Sequence, residues 1–541
     1  MTRRQRRSWR PLSAIRISIF PSSDIREGLF MNNYRSIILF CCAALLCGCR
    51  PDLATIKRDC AVVGRLPVIK PDYAGITIPP NIAPLNFTLQ DSCTVCVADI
   101  ASANGTPITV WGNEGAVRIA AAPWRRLLTE NAGKPLRITL YARGNKGEWR
   151  RYTTIKDTIA AEPVDRYCTY RLLSFQYNYS SDLLECQRDL SSFDETVLVN
   201  TQNYAWGCVN CHVPMNNDPG RFVLQSRSKA YGSETLIADG DAITTLSSRL
   251  GYTAWHPDGR YIAFSVYKVE QYFHAVGRQF IDVCDNNSCI VIYDVAARKI
   301  VPAAPQFNRQ GTLETWPAWS PDGRYLYFCS ASVPSGYSTT EPPENFDKVQ
   351  YSLLRTEFDA VHDTWGAVDT VLTPKETGLS IAQPRLSPDN RFCLFCMQTF
   401  GAYPHTQVSS DLYLMDVSTR QYRKLPINSE YNESWHSWSK NGRWILFSSK
   451  RGGGIFTRLY FSYVDSAGNA RKPFILPQRD GAFYDSFIKC YNVPEFAVAP
   501  VRFSERQLLK AIRTKNRIAV PIPQNIATPP TSSPPAWEGN R

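Results

Sequence analysis

Two periodicities divide the chain. Between residues 60 and 200, short runs alternate apolar and polar positions, as in Ile108-Thr-Val-Trp111, Ala116-Val-Arg-Ile119, Leu136-Arg-Ile-Thr-Leu-Tyr141 and Trp149-Arg-Arg-Tyr-Thr153. Period-two alternation broken by Asn-Gly, Gly-Asn and Gly-Lys-Pro turns predicts half-buried strands, here those of a small antiparallel β-sandwich. Trp124 to Glu130 predicts a short helix between strands, and Val164 to Asp194 a more helical connector. Near the other end, Glu505 to Arg517 predicts a terminal helix, and residues 521–541, with six prolines, a disordered tail.

From residue 201 the pattern becomes a repeat. Trp255-His-Pro-Asp-Gly-Arg-Tyr-Ile-Ala-Phe264, Trp319-Ser-Pro-Asp-Gly-Arg-Tyr-Leu-Tyr-Phe328, Leu386-Ser-Pro-Asp-Asn-Arg-Phe-Cys-Leu-Phe395 and Trp438-Ser-Lys-Asn-Gly-Arg-Trp-Ile-Leu-Phe447 share a turn, a basic residue and an apolar strand. Pro presets φ in such a turn and Gly accepts positive φ, so each unit predicts a hairpin. A degenerate fifth copy runs from Asp218 to Gln225, which aligns Arg221, Arg260, Arg324, Arg391 and Arg443 as turn-building residues with no chemistry of their own. Spacings of about 40 to 67 residues fit four-stranded propeller blades with variable loops. These segments resemble the TolB-type propeller repeat over about residues 200 to 500. With a closing strand from Phe483 to Val501, the resemblance implies about six blades. The fold class expected is all-β: a β-sandwich domain and connector over 49–200, then a propeller over 201–502.

The leader changes how composition is read. Met31-Asn-Asn-Tyr-Arg35 and the apolar Ser36 to Leu45 have the form of a secretion signal, too short to span a bilayer as a helix. Leu46-Cys-Gly-Cys49 resembles the lipobox of bacterial lipoproteins, which implies cleavage before Cys49, acylation of its thiol and a membrane anchor. Residues 1–48 are therefore set aside as leader, the first 30 as an upstream start. They hold eight Lys and Arg against two Asp and Glu, so the net charge of +13 falls to +7 over the remainder. That balance makes no case for a nucleic-acid partner.

Thirteen of the seventeen cysteines follow the lipobox, an odd number that leaves at least one without a partner in the chain. In an exported chain, Cys284 and Cys289 are candidates for a loop disulfide around Asp-Asn-Asn-Ser, whereas Cys93, Cys96, Cys393 and Cys396 read as structural thiols.

Trp206-Gly-Cys208-Val-Asn-Cys211-His212 contains CxxCH, the attachment spacing of c-type haem. Two thiols three positions apart each add to one porphyrin vinyl group, and His212 is the proximal iron ligand. A sandwich opening with Ile78-Pro-Pro-Asn-Ile-Ala-Pro-Leu-Asn-Phe87, then CxxCH, then the repeats, resembles a group of Bacteroidetes lipoproteins labelled TolB-like or cytochrome-related. His256 departs from the Ser320, Ser387 and Ser439 of the other repeats, and it and His274 are the candidate distal ligands. His436, His405 and Met397 stand behind them, and Met215 is too near His212 in sequence to reach the opposite face.

The leading expectation is a lipid-anchored haem c protein of the cell envelope, periplasmic or surface-facing, that passes electrons to an envelope redox partner rather than catalysing a reaction. The alternative is a non-redox propeller scaffold for envelope proteins or glycan, with a structural Cys208–Cys211 disulfide beside a hydrogen-bonded histidine. A zinc site lacks a fourth ligand nearby. A propeller-plus-hydrolase arrangement is excluded by the absence of a GxSxG elbow and by the short segment after the repeats.

Overall fold

The computed structural model describes residues 52–520, apart from 175–181, 249, 275, 302, 303, 305, 336 and 338–343. The segment expected to be a signal sequence, Cys49 and the proline-rich tail lie outside the described residues. Among those described, no helix is long and apolar enough to cross a membrane. A short helix, Leu53–Asp59, belongs to a first compact unit, and Cys60 opens a second that holds every other element.

The second unit is all-β. Its N-terminal part pairs a seven-stranded sheet with a three-stranded one, both within residues 61–159. Alternation builds these strands as expected: Ile155–Ile159 buries every second residue, and Leu136, Ile138 and Leu140 do the same in Pro135–Arg143. The larger sheet is mixed rather than purely antiparallel, since Ala61–Val62 and Thr77–Ile78 join it in parallel. The helix expected around Trp124 spans Ala121–Glu130 and buries Trp124, Leu127 and Leu128, the i, i+3, i+4 stripe of an amphipathic helix. Trp124 also donates its indole N–H to the Ile82 carbonyl at 3.1 Å.

Six four-stranded antiparallel sheets follow, the blades of a propeller. Blades 2 to 6 are continuous in sequence, over residues 208–246, 253–301, 312–372, 380–424 and 433–475. Blade 1 is composite: Tyr167–Ser174, Leu184–Asp189 and Glu195–Asn200 are completed on the inner side by Lys489–Ala497, paired antiparallel from Tyr167↔Ala497 to Ser174↔Lys489. The C-terminal strand therefore clasps the ring shut from within the stretch expected to close it.

The helical connector expected at 164–194 is corrected by this pairing. Tyr167–Ser174 and Leu184–Asp189 are strands, and Cys168, Tyr170 and Leu172 share a buried face at period two. The propeller thus begins ahead of residue 201, in a blade that lacks the repeat's turn. The terminal helix is shorter than expected, Glu505–Ile512, and is capped by Ser504 and Gln507.

The repeat turns share one bonding scheme. Ser320 Oγ lies 2.5 Å from Asp322 Oδ1 and accepts from the Tyr325 N–H at 2.9 Å, while Asp322 accepts from the Arg324 N–H at 3.0 Å. Ser387 with Asp389, and Ser439 with Asn441, repeat it. The turn arginines then reach the end of the third strand of their own blade, Arg221 to Asp239, Arg260 to Asp294 and Arg324 to Glu357.

Candidate functional site

Cys208–Met215 is the inner strand of blade 2, paired with Asp218–Ser228. Its register runs Cys208↔Arg227 and Asn210↔Gln225, then slips to Val213↔Val223, which places a bulge at Cys211-His212. The same slip recurs at Trp316-Pro317, Gln383-Pro384, Trp435-His436 and Val493-Pro494. The leading residue of each of these four pairs is left-handed, with φ between 45° and 55°. The Cys-His of the motif thus occupies a structural position of the propeller that other blades fill with bulky residues followed by Pro or His. Tyr252 holds the corresponding place in blade 3 without a slip. A signal for this ring was available in the sequence: Tyr252, Trp316, Gln383 and Trp435 each stand eight residues before their turn arginine.

His212 is buried between blades 1 and 2. Its Nδ1 lies 3.1 Å from Thr169 Oγ1, and its ring packs on Phe222 with centroids 4.4 Å apart. Nε2 is enclosed and has no hydrogen-bond partner among the described residues. Burial pushes the imidazole down to a pKa of about 3, so it is neutral near pH 7. Cys208 is half-buried and lines a cavity of about 210 Å³ on the propeller axis. The backbone of Cys211 belongs to the strand, but its side chain lies outside the described residues.

The donor set agrees with haem c in its chemistry: a neutral imidazole fixed through Nδ1, an unpartnered Nε2, and a thiol opening onto space. The packing adds a condition. Nε2 is closed in beside Phe222 while Cys208 faces the cavity, so a haem held by both residues would need room now filled by Phe222.

Neither His256 nor His274 is among the residues lining the cavity that Cys208 lines. His256 stands in the turn that joins the first two strands of blade 3, where it does the work of the serines elsewhere: Nδ1 is 2.7 Å from Asp258 Oδ1 and Nε2 is 3.0 Å from the Gly323 carbonyl. That turn lies at the same edge of the ring as Met215, at the far end of the strand from Cys208. His274 is bound to Asp282 at 2.6 Å. Met397 is buried in blade 5, and His436 has Nε2 3.1 Å from the Leu394 carbonyl. His405 alone of the candidates lines the cavity that Cys208 lines, with Nδ1 unpartnered among the described residues.

The loop disulfide is corrected as well. Cys284 and Cys289 are free and lie in one strand, Ile281–Asp294, opposite Glu270 and Val266. Five residues of extended chain at about 3.3 Å each hold them too far apart to bond. Cys93, Cys96, Cys393 and Cys396 are free, and Cys96, Cys393 and Cys396 are buried in apolar strands as small hydrophobes. Among the described residues, no group of three or more His, Cys, Asp or Glu could hold a metal ion.

No family model matches the chain, and no curated protein matches it. Solved structures similar to it include hydrazine synthase of Kuenenia stuttgartiensis, 14% identical over 49% of this chain and 68% of that one, with a TM-score of 0.25. An oligogalacturonate lyase in complex with manganese is 12% identical over 62% and 87%, with a TM-score of 0.31. The β-propeller domain of the Trilobed protease from Pyrococcus furiosus is 9% identical over 64% and 95%, with a TM-score of 0.29. Likenesses at these scores carry no argument, and the propeller rests on the sheet topology itself.

Proposed function

We propose that this chain is a cell-envelope protein, anchored to a membrane through an acylated Cys49, whose TolB-type propeller carries one haem c on Cys208, Cys211 and His212 and docks an envelope redox partner. The observation that carries the reading is the state of His212: a neutral imidazole held by Thr169 through Nδ1, with a buried Nε2 that has no partner among the described residues. A buried polar atom without a partner costs about 1–3 kcal/mol, which a ligand on Nε2 would relieve. When bound, haem c supplies a one-electron couple. Thr169 sets the tautomer and orientation of the ring, Phe222 excludes water from it, and Cys208 presents its thiol at the cavity wall. His405, which lines the same cavity as Cys208, is the histidine that would face a haem held there.

A second reading, a redox-inert propeller that binds envelope protein or glycan, is favoured by one observation. Cys208 faces the cavity while His212 faces the core between blades, a division that suits a structural strand.

The visible spectrum of protein exported in a host with a haem-attachment system, taken after reduction in pyridine, separates the two. A covalent haem band that disappears in the Cys208→Ser, Cys211→Ser double variant is the expected result. A colourless, folded wild-type protein would overturn the haem reading. Membrane fractionation of a Cys49→Ala variant tests the anchor, whose loss releases the protein into the soluble fraction.

A further inference from the structure

The axial cavity carries a second set of groups that the haem reading leaves unused. Its wall includes Arg171 and Lys450, and no Asp or Glu is among its lining residues. No carboxylate acts on Lys450 among the described residues, and burial lowers its pKa against the opposing pull of Cys490. Arg171 donates to the Val209 carbonyl at 3.0 Å, which leaves its Nε unpartnered. The carboxyl nearest in register to Arg171 is Glu185 on the neighbouring strand, and burial pushes it up to about 8, so it is mostly protonated near pH 7 and does not cancel the cation. Arg171 and Lys450 both act on His405, whose pKa is driven down to about 3 by burial first and then by these two charges. The three groups therefore converge although they come from distant parts of the chain.

Around them stand polar atoms of both kinds without partners among the described residues: the Tyr403 hydroxyl, Trp435 Nε1 and His405 Nδ1, and the acceptors Asn210 Oδ1 and Asn492 Oδ1. Tyr403 is only 3% exposed, so its unmet hydroxyl is fully desolvated. Aromatic faces complete the wall, with Tyr252 stacked on Tyr267 at 5.1 Å and Trp435 packed against His405 at 5.2 Å. A volume of about 210 Å³ lies below the range of drug-sized pockets and suits one small ring.

Net positive charge selects an anion. Paired donors and acceptors select hydroxyls, and aromatic faces select a compact ring. We infer that the axial cavity is a binding site for a small polyhydroxylated carboxylate of the sugar-acid class, its acid group held by Lys450 and Arg171 and its hydroxyls by Tyr403, Trp435, Asn210 and Asn492. The site shares the Cys208 and His405 wall with the haem reading, so it is tested in protein that carries no haem.

Calorimetric titration of the full-length protein with glucuronate, and with glucose as the neutral comparison, tests the inference. It is run on the wild-type protein and on the Cys208→Ser, Cys211→Ser variant, whose cavity is free of haem whichever reading of the motif holds. The expected result is saturable glucuronate binding to the double variant and at least tenfold weaker glucose binding. Lys450→Met in that background is expected to weaken glucuronate about tenfold, the loss of one charge-assisted bond. Tyr403→Phe, which keeps the packing, is expected to give a smaller loss with an unchanged melting temperature. No glucuronate binding to the double variant overturns the proposal, as does binding that Lys450→Met and Tyr403→Phe both leave untouched in folded protein. Neither outcome bears on the haem band, so the two readings fail separately.

Discussion

The imidazole Nε2 of His256 lies 3.0 Å from the carbonyl oxygen of Gly323, and a Cβ placed on Gly323 would come within 2.5 Å of that same nitrogen. Two repeat turns, one from blade 3 and one from blade 4, are thereby locked together. Gly323 is at φ +73°, where an L residue is strained, and His256 has little room to retreat because Trp319 packs on it edge to face at 4.8 Å. Gly323→Ala is expected to cost about 3 kcal/mol, of which about 1–2 is backbone strain and the rest steric. In a His256→Ser background most of the steric part is relieved and only the Pro257 ring at 3.2 Å remains close, so the double variant should lose about 1 kcal/mol less than the sum of the singles. Urea denaturation of the four proteins reads this coupling; strictly additive losses would show that the imidazole moves aside freely.

Thr169 makes the corresponding link between blades 1 and 2. Thr169→Val keeps the shape and removes the partner of His212 Nδ1, which leaves a buried ring nitrogen unmet at a cost of about 1–3 kcal/mol. Thr169→Ser should retain most of the stability. Equal denaturation midpoints for Val and wild type would mean that Nδ1 finds another partner.

Glu185 supplies a pH dependence whose sign can be worked out. It is 1% exposed, its Oε2 is unpartnered, and burial raises its pKa from 4.5 to about 8 against the pull of Arg171. A folded-state pKa above the unfolded one means that the contribution is full below about pH 4.5 and is lost as pH rises towards 8. Glu185→Gln removes the proton. Its stability relative to wild type should therefore climb by about 1.4 kcal/mol per pH unit between about 4.5 and 8 and level off outside that window. A difference that stays flat would show that Arg171 holds the carboxylate charged.

The propeller was legible because its turn is chemically constrained: Pro, Asp and Gly each answer a backbone requirement, so five copies survive in sequence. Blade 1 was not legible, because its strands meet an inner partner more than 300 residues away and none of its hairpins uses that turn. The departure at His256 is legible in the sequence, but its contacts to Asp258 and Gly323 are not. An imidazole can accept and donate at a turn as a serine does, and it adds a reach to the next blade. CxxCH was visible as a motif, but its strand and bulge are set by the ring of inner strands, and those depend on long-range pairing. The cavity was invisible for the same reason, since Arg171, Asn210, Tyr403 and Lys450 become neighbours only when the ring closes.

Closure itself has a testable lock. Arg385, in the inner strand of blade 5, donates to Glu495 of the closing strand at 2.5 Å, and Glu495 is 8% exposed on its side chain while Arg385 is 34% exposed. Burial raises the pKa of Glu495 and Arg385 opposes the rise, so the pair is held between desolvation and attraction. Removing only the cation strands a buried carboxyl. With the partial exposure of Arg385 allowed for, Arg385→Met is expected to cost about 2 kcal/mol. Adding Glu495→Gln should recover most of that loss, because a neutral amide at the same position no longer needs a counter-charge. Denaturation midpoints of the single and double variants decide it. If the double variant is as weak as Arg385→Met alone, the arginine acts through its packing against the ring of inner strands, and the clasp is held by strand pairing without help from charge.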